Sequence, residues 1–342
     1  MSLRVALLHD PAAERPGAPP DACGVAEALA AVAKALQEAG HTPCLVPACG
    51  TLDHWLAALG ALAPDVVFNL CEGTGADELD EVRVAAAVAD LGLPHTGSPA
   101  ATLARARHKG STNALLAAAG VPVADWTLVE DAALPAWDVW PAIVKPAAED
   151  ASVGIGAGSV VEDRAGLQRA LAAAPRPALV QRYLPGREFN VAFVGTTVLP
   201  VAEICFDAWR TDAFPRVTYA AKWAAGSADD LGTRPVCPAP LDATATACLQ
   251  ALAREAWAVV GGTGYGRVDL RMDAAGTPHV LEVNPNADLA PDAGLARMAA
   301  AAGWSYTELV ERILAAALAP DPGRGAAHST MGAPAGLAMV AS

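Results

Sequence analysis

Hydrophobic residues along the chain repeat with two periods, and the switches between them divide it. The opening LRVALLHD is a strand-length apolar run. The next segment, GVAEALAAVAKALQEAGH (24–41), spaces its apolar residues like one face of a helix and stops at Gly40. Glycine ends helices because it takes the left-handed conformation without a Cβ penalty. TPCLVPA then reads as a strand, LDHWLAALGAL as a helix, PDVVFNL (64–70) as a strand, and ELDEVRVAAAVADLG as a helix closed by Gly92 and Pro94. Such alternation predicts a parallel sheet with helices on both faces. Ligands of such sheets bind beyond the carboxyl ends of the strands. Here those ends carry His9, Asp10, Asn69, Glu72 and Gly73.

From about Thr102 the pattern changes. KGSTNALLAAAGVPVADWTLV reads as a helix, a Gly-Val-Pro stop and a strand. PAIVKP is a short strand ending in a lysine, and ASVGIGAGSVVED is glycine-rich and runs into another strand. ALVQRYLPGREFNVAFVG (178–195) holds two strands about Leu184-Pro185-Gly186. After Glu188 come further strands, the long helix ATATACLQALAREAWAVVG, two strands in GRVDLRMDAAGTPHVLEVN, and a last helix near 306–318. The tail from Pro320 is rich in Pro, Gly, Ala and Ser and reads as a mobile segment without function. The expected layout is an α/β domain over 1–101, small α+β domains over 102–186 and 187–319, and a tail over 320–342. A chain of 342 residues also exceeds one ordinary core.

The segment GRVDLRMDAAGTPHVLEVN poses a chemical problem. Period two puts Arg267, Asp269 and Arg271 on one face, with Val268, Leu270 and Met272 on the other. On the second strand Val280, Glu282 and Asn284 share a face. A four-residue turn at 274–277 sets Asp269 opposite Glu282 and Arg267 opposite Asn284. Two carboxylates directly opposite repel unless positive charge lies between them. A hard divalent cation answers this, since Mg²⁺ prefers a few carboxylate or amide oxygens together with phosphate oxygens. A solvated sheet face on which Arg267 neutralises Glu282 is the competing answer. A metal shared with phosphates needs lysines and a backbone cradle from elsewhere. VKPAAEDASVGIG supplies Lys145 and a loop reaching Ser152, Val153 and Gly154. It is not a P-loop, and GGTGYG (261–266) precedes a strand rather than a helix, so it is no dinucleotide fingerprint.

Composition narrows the partners. Apolar residues make up 53% and charged residues 18%, a globular balance. The net charge of −14 disfavours nucleic acid or an anionic membrane as partner. An anionic ligand must be held by a few local Lys and Arg side chains. No window approaches the roughly 20 apolar residues of a membrane span, and no secretory pattern follows the first strand. Seven scattered cysteines without a C-x-x-C fit reduced thiols in a cytoplasmic protein. His9, His41, His54 and His95 fall near element ends and read as structural or exposed.

Lys109, VKP…SVG, VQRYLPGREFNV, YAAKW, GRVDL and LEVNPN follow one another in an order that resembles the ATP-grasp superfamily. Within it the chain is similar to the D-alanine–D-alanine ligase group, from residue 3 to about 318. Each motif alone is common; six in order are specific. The resemblance implies an ATP-grasp fold, α/β and α+β. Its parts are an N-terminal parallel-sheet domain, a small central lid subdomain, and a C-terminal subdomain with the metal hairpin. It implies ATP and Mg²⁺ or Mn²⁺, the metal held by Asp269, Glu282 and Asn284. Lys109 and Lys145 match the lysines that hold the ATP phosphates. The loop from Glu149 to Gly154 matches the one that folds over them, with Ser152 donating. Gln181 stands where a Glu usually accepts the adenine amino group, and an amide oxygen can still accept there. Arg182 and Leu184 offer backbone groups to the adenine edge, and Glu188 matches the carboxylate on the ribose hydroxyls. Lys222 matches a mobile-loop lysine that reaches the γ-phosphate, and Arg267 the arginine that stabilises the transferred phosphate and the developing oxyanion. The implied reaction joins amino-acid-like substrates. A carboxylate attacks the γ-phosphate, an amine attacks the acyl phosphate, and phosphate leaves. That is work for positioned cations rather than a nucleophilic side chain. Homodimers are common in the family.

Departures from the family cluster at the amino-acid end. Its first glycine-rich turn, ending in a Glu that grips the substrate ammonium, is absent. DPAAERPGAPPDACGVAEAL stands there, with Asp21 or Glu27 as replacement carboxylates. The Ser of the phosphate loop is Ala151, and the Tyr of the mobile loop is Trp223, so a hydrogen-bonded latch loses its side chains. Trp223 also adds an apolar wall to the substrate pocket. NPNADLAPDAG replaces a small-residue Pro-Gly turn. The expectation is a rebuilt substrate end that does not prefer D-alanine. Four readings stay open: a carboxylate–amine ligase for other amino-acid-like substrates, a true D-alanine–D-alanine or D-alanine–D-lactate ligase, an ATP-grasp kinase, and a nucleotide-binding module without turnover.

Overall fold

The computed structural model describes residues 1–11, 20–49, 51–72, 81–131, 133–210 and 212–319; for 20–24 it describes the helix but not the side chains. The tail from 320 lies outside the described residues. Among the described residues no helix is long and apolar enough to cross a membrane.

The N-terminal stretch forms β1 (Arg4–His9), α1 (Pro20–Glu38), β2 (Thr42–Pro47), α2 (Leu52–Leu62), β3 (Val66–Asn69) and α3 (Glu81–Asp90). The strands lie in the order β2-β1-β3, both pairs parallel, as the alternation predicts. Helix α1 begins earlier than the expected residue 24, and Gly40 just past its end takes φ 84°. Next come α4 (Ala100–Arg107), α5 (Lys109–Ala118), β4 (Trp126–Val129), β5 (Ala142–Pro146), β6 (Val160–Val161), α6 (Arg164–Ala173) and β7 (Ala178–Arg182). Their sheet is antiparallel in the order β4-β7-β5-β6. Helix α4 shows no clear apolar period in the sequence. Polar anchors hold it instead: Thr102 Oγ1 donates to Gly261 O at 2.6 Å and Arg105 to Val260 O at 3.1 Å.

The remainder forms β8 (Glu188–Val194), β9 (Thr197–Val198), β10 (Ala202–Cys205), α7 (Tyr219–Trp223), α8 (Ala228–Leu231), β11 (Arg234–Val236), α9 (Ala243–Val260), β12 (Tyr265–Met272), β13 (Pro278–Asn284), α10 (Gly294–Ala301) and α11 (Tyr306–Leu318). Strands pair in the order β11-β10-β8-β12-β13, with β9 beside β8. The bonds of Thr102 and Arg105 therefore satisfy the last carbonyls of α9, which have no partner within their own helix.

The N-terminal sheet is covered on both faces. Val5 and Leu7 pack with Val32 of α1 and with Leu309 and Ile313 of α11. Ala6 and Leu8 pack with Trp55 and Leu59 of α2 and with Val84 and Val88 of α3. His41 pins the same junction. Its Nδ1 accepts from the Leu3 N–H at 3.1 Å, so its Nε2 donates to Glu311 at 2.7 Å.

The β12–β13 register sets Arg267 opposite Asn284 and Asp269 opposite Glu282, as expected, but by a different route. The turn runs from Asp273 to Thr277, whose carbonyl accepts from the Asp273 N–H at 2.9 Å, so it is one residue longer than the predicted turn. A β-bulge restores the register, because Leu270 pairs with Val280 and Leu281 is left over. The bulge also corrects the expected faces. Val280 does not share a face with Glu282; it is fully buried in the core with Val283.

At Gly266 on β12, an added Cβ would lie 2.3 Å from the Trp257 ring and 2.7 Å from the Asn284 carbonyl. That ring is stacked on Phe193 with 5.1 Å between centroids, so it has no easy retreat. Gly266→Ala is expected to cost about 1–3 kcal/mol by overpacking, read as a lower urea midpoint. An unchanged midpoint would show that the ring gives way freely.

Candidate active site

A run of ion pairs occupies the hairpin face. Arg267 grips Asp269 with two hydrogen bonds, Nε to Oδ1 at 2.6 Å and Nη2 to Oδ2 at 2.9 Å. Asn190 on β8 donates to the same carboxylate at 2.7 Å, and Asn284 at 3.1 Å. Burial alone would lower the Arg267 pKa, but Asp269 more than reverses this and raises it. The competing sequence reading paired Arg267 with Glu282, and the structure corrects it. Glu282 is held by Lys109, whose Nζ lies 2.9 Å from Glu282 and 3.0 Å from Asp150. The same ammonium donates to the Glu149 carbonyl; the Glu149 side chain itself is exposed. Burial pushes the Glu282 carboxyl up, and Lys109 outweighs it and holds it well below the usual carboxylate range. In return Glu282 and Asp150 overcome the burial of Lys109 and raise its pKa.

These residues suit a divalent cation shared with phosphate. No three His, Cys, Asp or Glu side chains gather as a metal cluster among the described residues. The hairpin instead offers two carboxylates and one amide, too few for an all-protein cage and suited to Mg²⁺ completed by phosphate and water. Asn284 now presents its Nδ2 to Asp269; the turned amide presents an oxygen.

Lys145 closes β5. It is 8% exposed, and its ammonium makes no hydrogen bond among the described residues. Burial draws its pKa down to about 8, in spite of the nearby Glu282. Gln181 on β7 lies opposite Ile143 of the same sheet. Glu188 opens β8 and pairs with Arg271 at 3.0 Å. Arg271 also donates to the Tyr183 hydroxyl at 3.0 Å and to the Pro215 carbonyl at 2.6 Å. It stands over the Tyr183 and Phe206 rings, 5.0 and 5.2 Å from their centroids. The Arg182 guanidinium pairs with Asp125 at 2.7 Å, and its N–H is taken by the Asp125 carbonyl at 2.8 Å. Of its backbone only the carbonyl remains for a ligand. Leu184 follows, buried.

Two loops meet above the hairpin. In the glycine-rich loop Ala151 and Ser152 take φ 52° and 62°. Left-handed backbone at two non-glycine residues persists only where surroundings enforce it. The second loop supplies those surroundings. Trp223 Nε1 donates to the Ala151 carbonyl at 3.1 Å, the Tyr219 N–H to Ile155 O at 3.0 Å, and Arg216 to Gly156 O at 2.6 Å. Every acceptor is a backbone carbonyl, so the tie survives the absence of a hydroxyl at Ala151. Lys222, beside Trp223, stands in the field of Arg267, Glu282 and Asp269.

At the other end of the hairpin, carboxylates gather. Asp21 lies in α1 with its side chain outside the described residues, and Glu27 is exposed. Other elements bring Asp10, Glu72, Glu81 and Asp288 together. The Glu72 N–H donates to Asp10 at 2.9 Å. Asn286 donates to Cys71 O at 2.9 Å and to Glu81 at 3.3 Å, and accepts from the Tyr265 hydroxyl at 3.2 Å. Val25, Leu70, Ala287 and Leu289 line a small cavity here with Glu72, Tyr265 and Asn286. Burial, with Asp288, Asp10 and Glu81 around it, raises the Glu72 pKa. Asp10 and Glu72 were legible as strand ends. Asp150, Asn190, Arg271 and Asp288 were not read as site residues, although each lies within or beside a quoted motif.

An antiparallel sheet carrying a lysine and a glycine-rich loop, set against a second sheet with a carboxylate hairpin, defines the ATP-grasp class. Residues 115–315 match the family model described as D-ala D-ala ligase C-terminus. The D-alanine–D-alanine ligase of Synechococcus sp. (strain JA-3-3Ab) is 33% identical over 83% of this chain and 86% of its own length. That of Gluconobacter oxydans (strain 621H) is 34% identical over 84% of this chain and 92% of its own length. The crystal structure of D-alanine–D-alanine ligase from Bacillus anthracis complexed with ATP shares the fold, with a TM-score of 0.71 at 18% identity. The match covers 93% of this chain and 98% of that one. The chain belongs to the D-alanine–D-alanine ligase family.

Trp223→Phe keeps an aromatic ring on the loop and removes the pyrrole ring with its N–H. Losing one hydrogen bond of about 1 kcal/mol should speed amide exchange across 151–156 about fivefold. Unchanged protection would mean that the indole bond does not hold the loops together.

Proposed function

We propose that the chain is an ATP- and Mg²⁺-dependent carboxylate–amine ligase that forms an amide bond between amino-acid-like substrates through an acyl phosphate. The observation that carries this is the convergence of Lys109, Lys145, Lys222 and Arg267 on the Asp269–Glu282 hairpin. Four cations around the three carboxylates of Asp269, Glu282 and Asp150 leave positive charge over, and an anion of high charge uses it. Lys109 exchanges Asp150 for a phosphate oxygen, and Lys145, which makes no hydrogen bond among the described residues, takes another. Ser152 donates from the loop, and the Leu184 backbone and Arg182 carbonyl border the base. Glu188, oriented by Arg271, accepts from the ribose. Asp269, Glu282 and a turned Asn284 would hold Mg²⁺, which neutralises phosphate charge when bound. Lys222 and Arg267 meet the charge that develops on the transferred phosphoryl group and on the carbonyl oxygen. The two tied loops keep water from the acyl phosphate.

The relatives' names favour D-alanine as substrate. The amino-acid end speaks for a different choice. Trp223 ties to a backbone carbonyl and walls the site, and the carboxylates of Asp10, Glu72, Glu81 and Asp288 suit substrates that bring ammonium groups. A bare nucleotide-binding module has no use for Lys222 beside the complete hairpin.

The test is phosphate release with Mg²⁺ and ATP over a panel of D- and L-amino acids, dipeptides and amines, singly and in pairs, with product masses. Phosphate should appear together with a condensed product. Glu282→Gln should lower turnover about 10²–10³-fold while the fold is kept. A phosphorylated acceptor without condensation would indicate a kinase, and no phosphate at all a binding module. Highest turnover on D-alanine alone would overturn the substrate argument.

Nucleotide affinity should also depend on pH. The Lys145 pKa is lowered to about 8, so its charge is present below pH 8 and lost as pH rises through it. ATP binding should therefore weaken above pH 8, approaching tenfold per unit, and Lys145→Arg, charged throughout, should flatten the slope. Calorimetry across that range checks this; a flat profile for the unaltered protein would count against a phosphate role for Lys145.

A further inference from the structure

Gln181 is 1% exposed, and its Nε2 has no hydrogen-bond partner. Buried polar groups are nearly always paired, and an exception asks for a cause. The register supplies one. In the antiparallel β5–β7 pair Gln181 lies opposite Ile143, and Lys145 opposite Leu179. Opposed residues share a face, so Gln181 and Lys145 look out from the same side of the sheet. Ala142, Val144 and Val180 take the other side, in the core. The unpaired Gln181 Nε2 and the Lys145 ammonium, which makes no hydrogen bond among the described residues, thus lie on the same face of the sheet. With Lys145 at the phosphates and Glu188 at the ribose, Gln181 falls to the base.

A carboxamide both donates and accepts, and it turns over freely when nothing else holds it. With its oxygen toward the ligand it accepts from the 6-amino group of adenine. Turned over, it donates to the 6-oxo group of guanine. A carboxylate in its place could only accept. We propose that Gln181 is a specificity-determining residue that opens the base subsite to 6-oxo as well as 6-amino purine nucleotides, so that the chain binds guanosine triphosphate beside ATP. This rests on the nucleotide half of the proposed function and not on the ligation half.

The experiment is calorimetric titration, with Mg²⁺, of the β,γ-imido analogues of ATP and GTP into the full chain and into Gln181→Glu and Gln181→Met. In the unaltered protein the two dissociation constants should lie within about thirtyfold of each other. Gln181→Glu should keep the adenine analogue within about threefold and weaken the guanine analogue at least tenfold, since Lys145 on the same face keeps the new carboxylate charged. Retained adenine binding shows that the variant is folded. Gln181→Met, of similar volume but without an amide, should weaken both. A preference for adenine beyond about thirtyfold in the unaltered protein, or a ratio that Gln181→Glu leaves within about threefold, overturns the proposal. Binding of neither analogue overturns the nucleotide reading beneath it.

Discussion

Asp269 and Glu282 are held directly opposite each other on one hairpin, and the rest of the site answers that placement. Two like charges on facing strands are unstable unless cations come to them. Arg267 comes from the same strand, Lys109 from the start of α5. The second of these contacts joins the central sheet region to the C-terminal sheet, so charge balance at the hairpin also fixes how the glycine-rich loop sits. Asp150 completes the connection by sharing Lys109.

Much of this was legible because the hairpin chemistry is local. Period two and a turn signal sufficed to bring Asp269 opposite Glu282. The bulge at Leu281 was not visible, since a longer turn and a bulge cancel in the register and differ only in where Val280 points. Helix α4 was missed because Thr102 and Arg105 hold it through the carbonyls of α9, and no apolar stripe marks such a contact. The partner of Glu282 was misread for a related reason. Arg267 is near in sequence, whereas Lys109 is near only in the fold.

The site has two ends of opposite character. Around the hairpin, cations outnumber the carboxylates they meet. Beyond it, Glu72 and Asp288 stand among other acids, with Asn286 and Tyr265 between. Between the ends, the loop tie uses backbone carbonyls as acceptors. Backbone acceptors are indifferent to the side chains that carry them, so residues at the loop can vary without untying it, which matches a family member whose Ala151 carries no hydroxyl.

The sharing of α11 between the first and last parts of the chain bears on its biogenesis. Val5 and Leu7 share one core cluster with Leu309 and Ile313, so the β1–β3 sheet, made well before α11, keeps one apolar face partly open until α11 emerges. At roughly 5–20 residues per second that wait is on the order of ten to sixty seconds. During it the nascent chain offers a hydrophobic surface of the kind that chaperones shield, and truncation before α11 would leave that surface permanently bare.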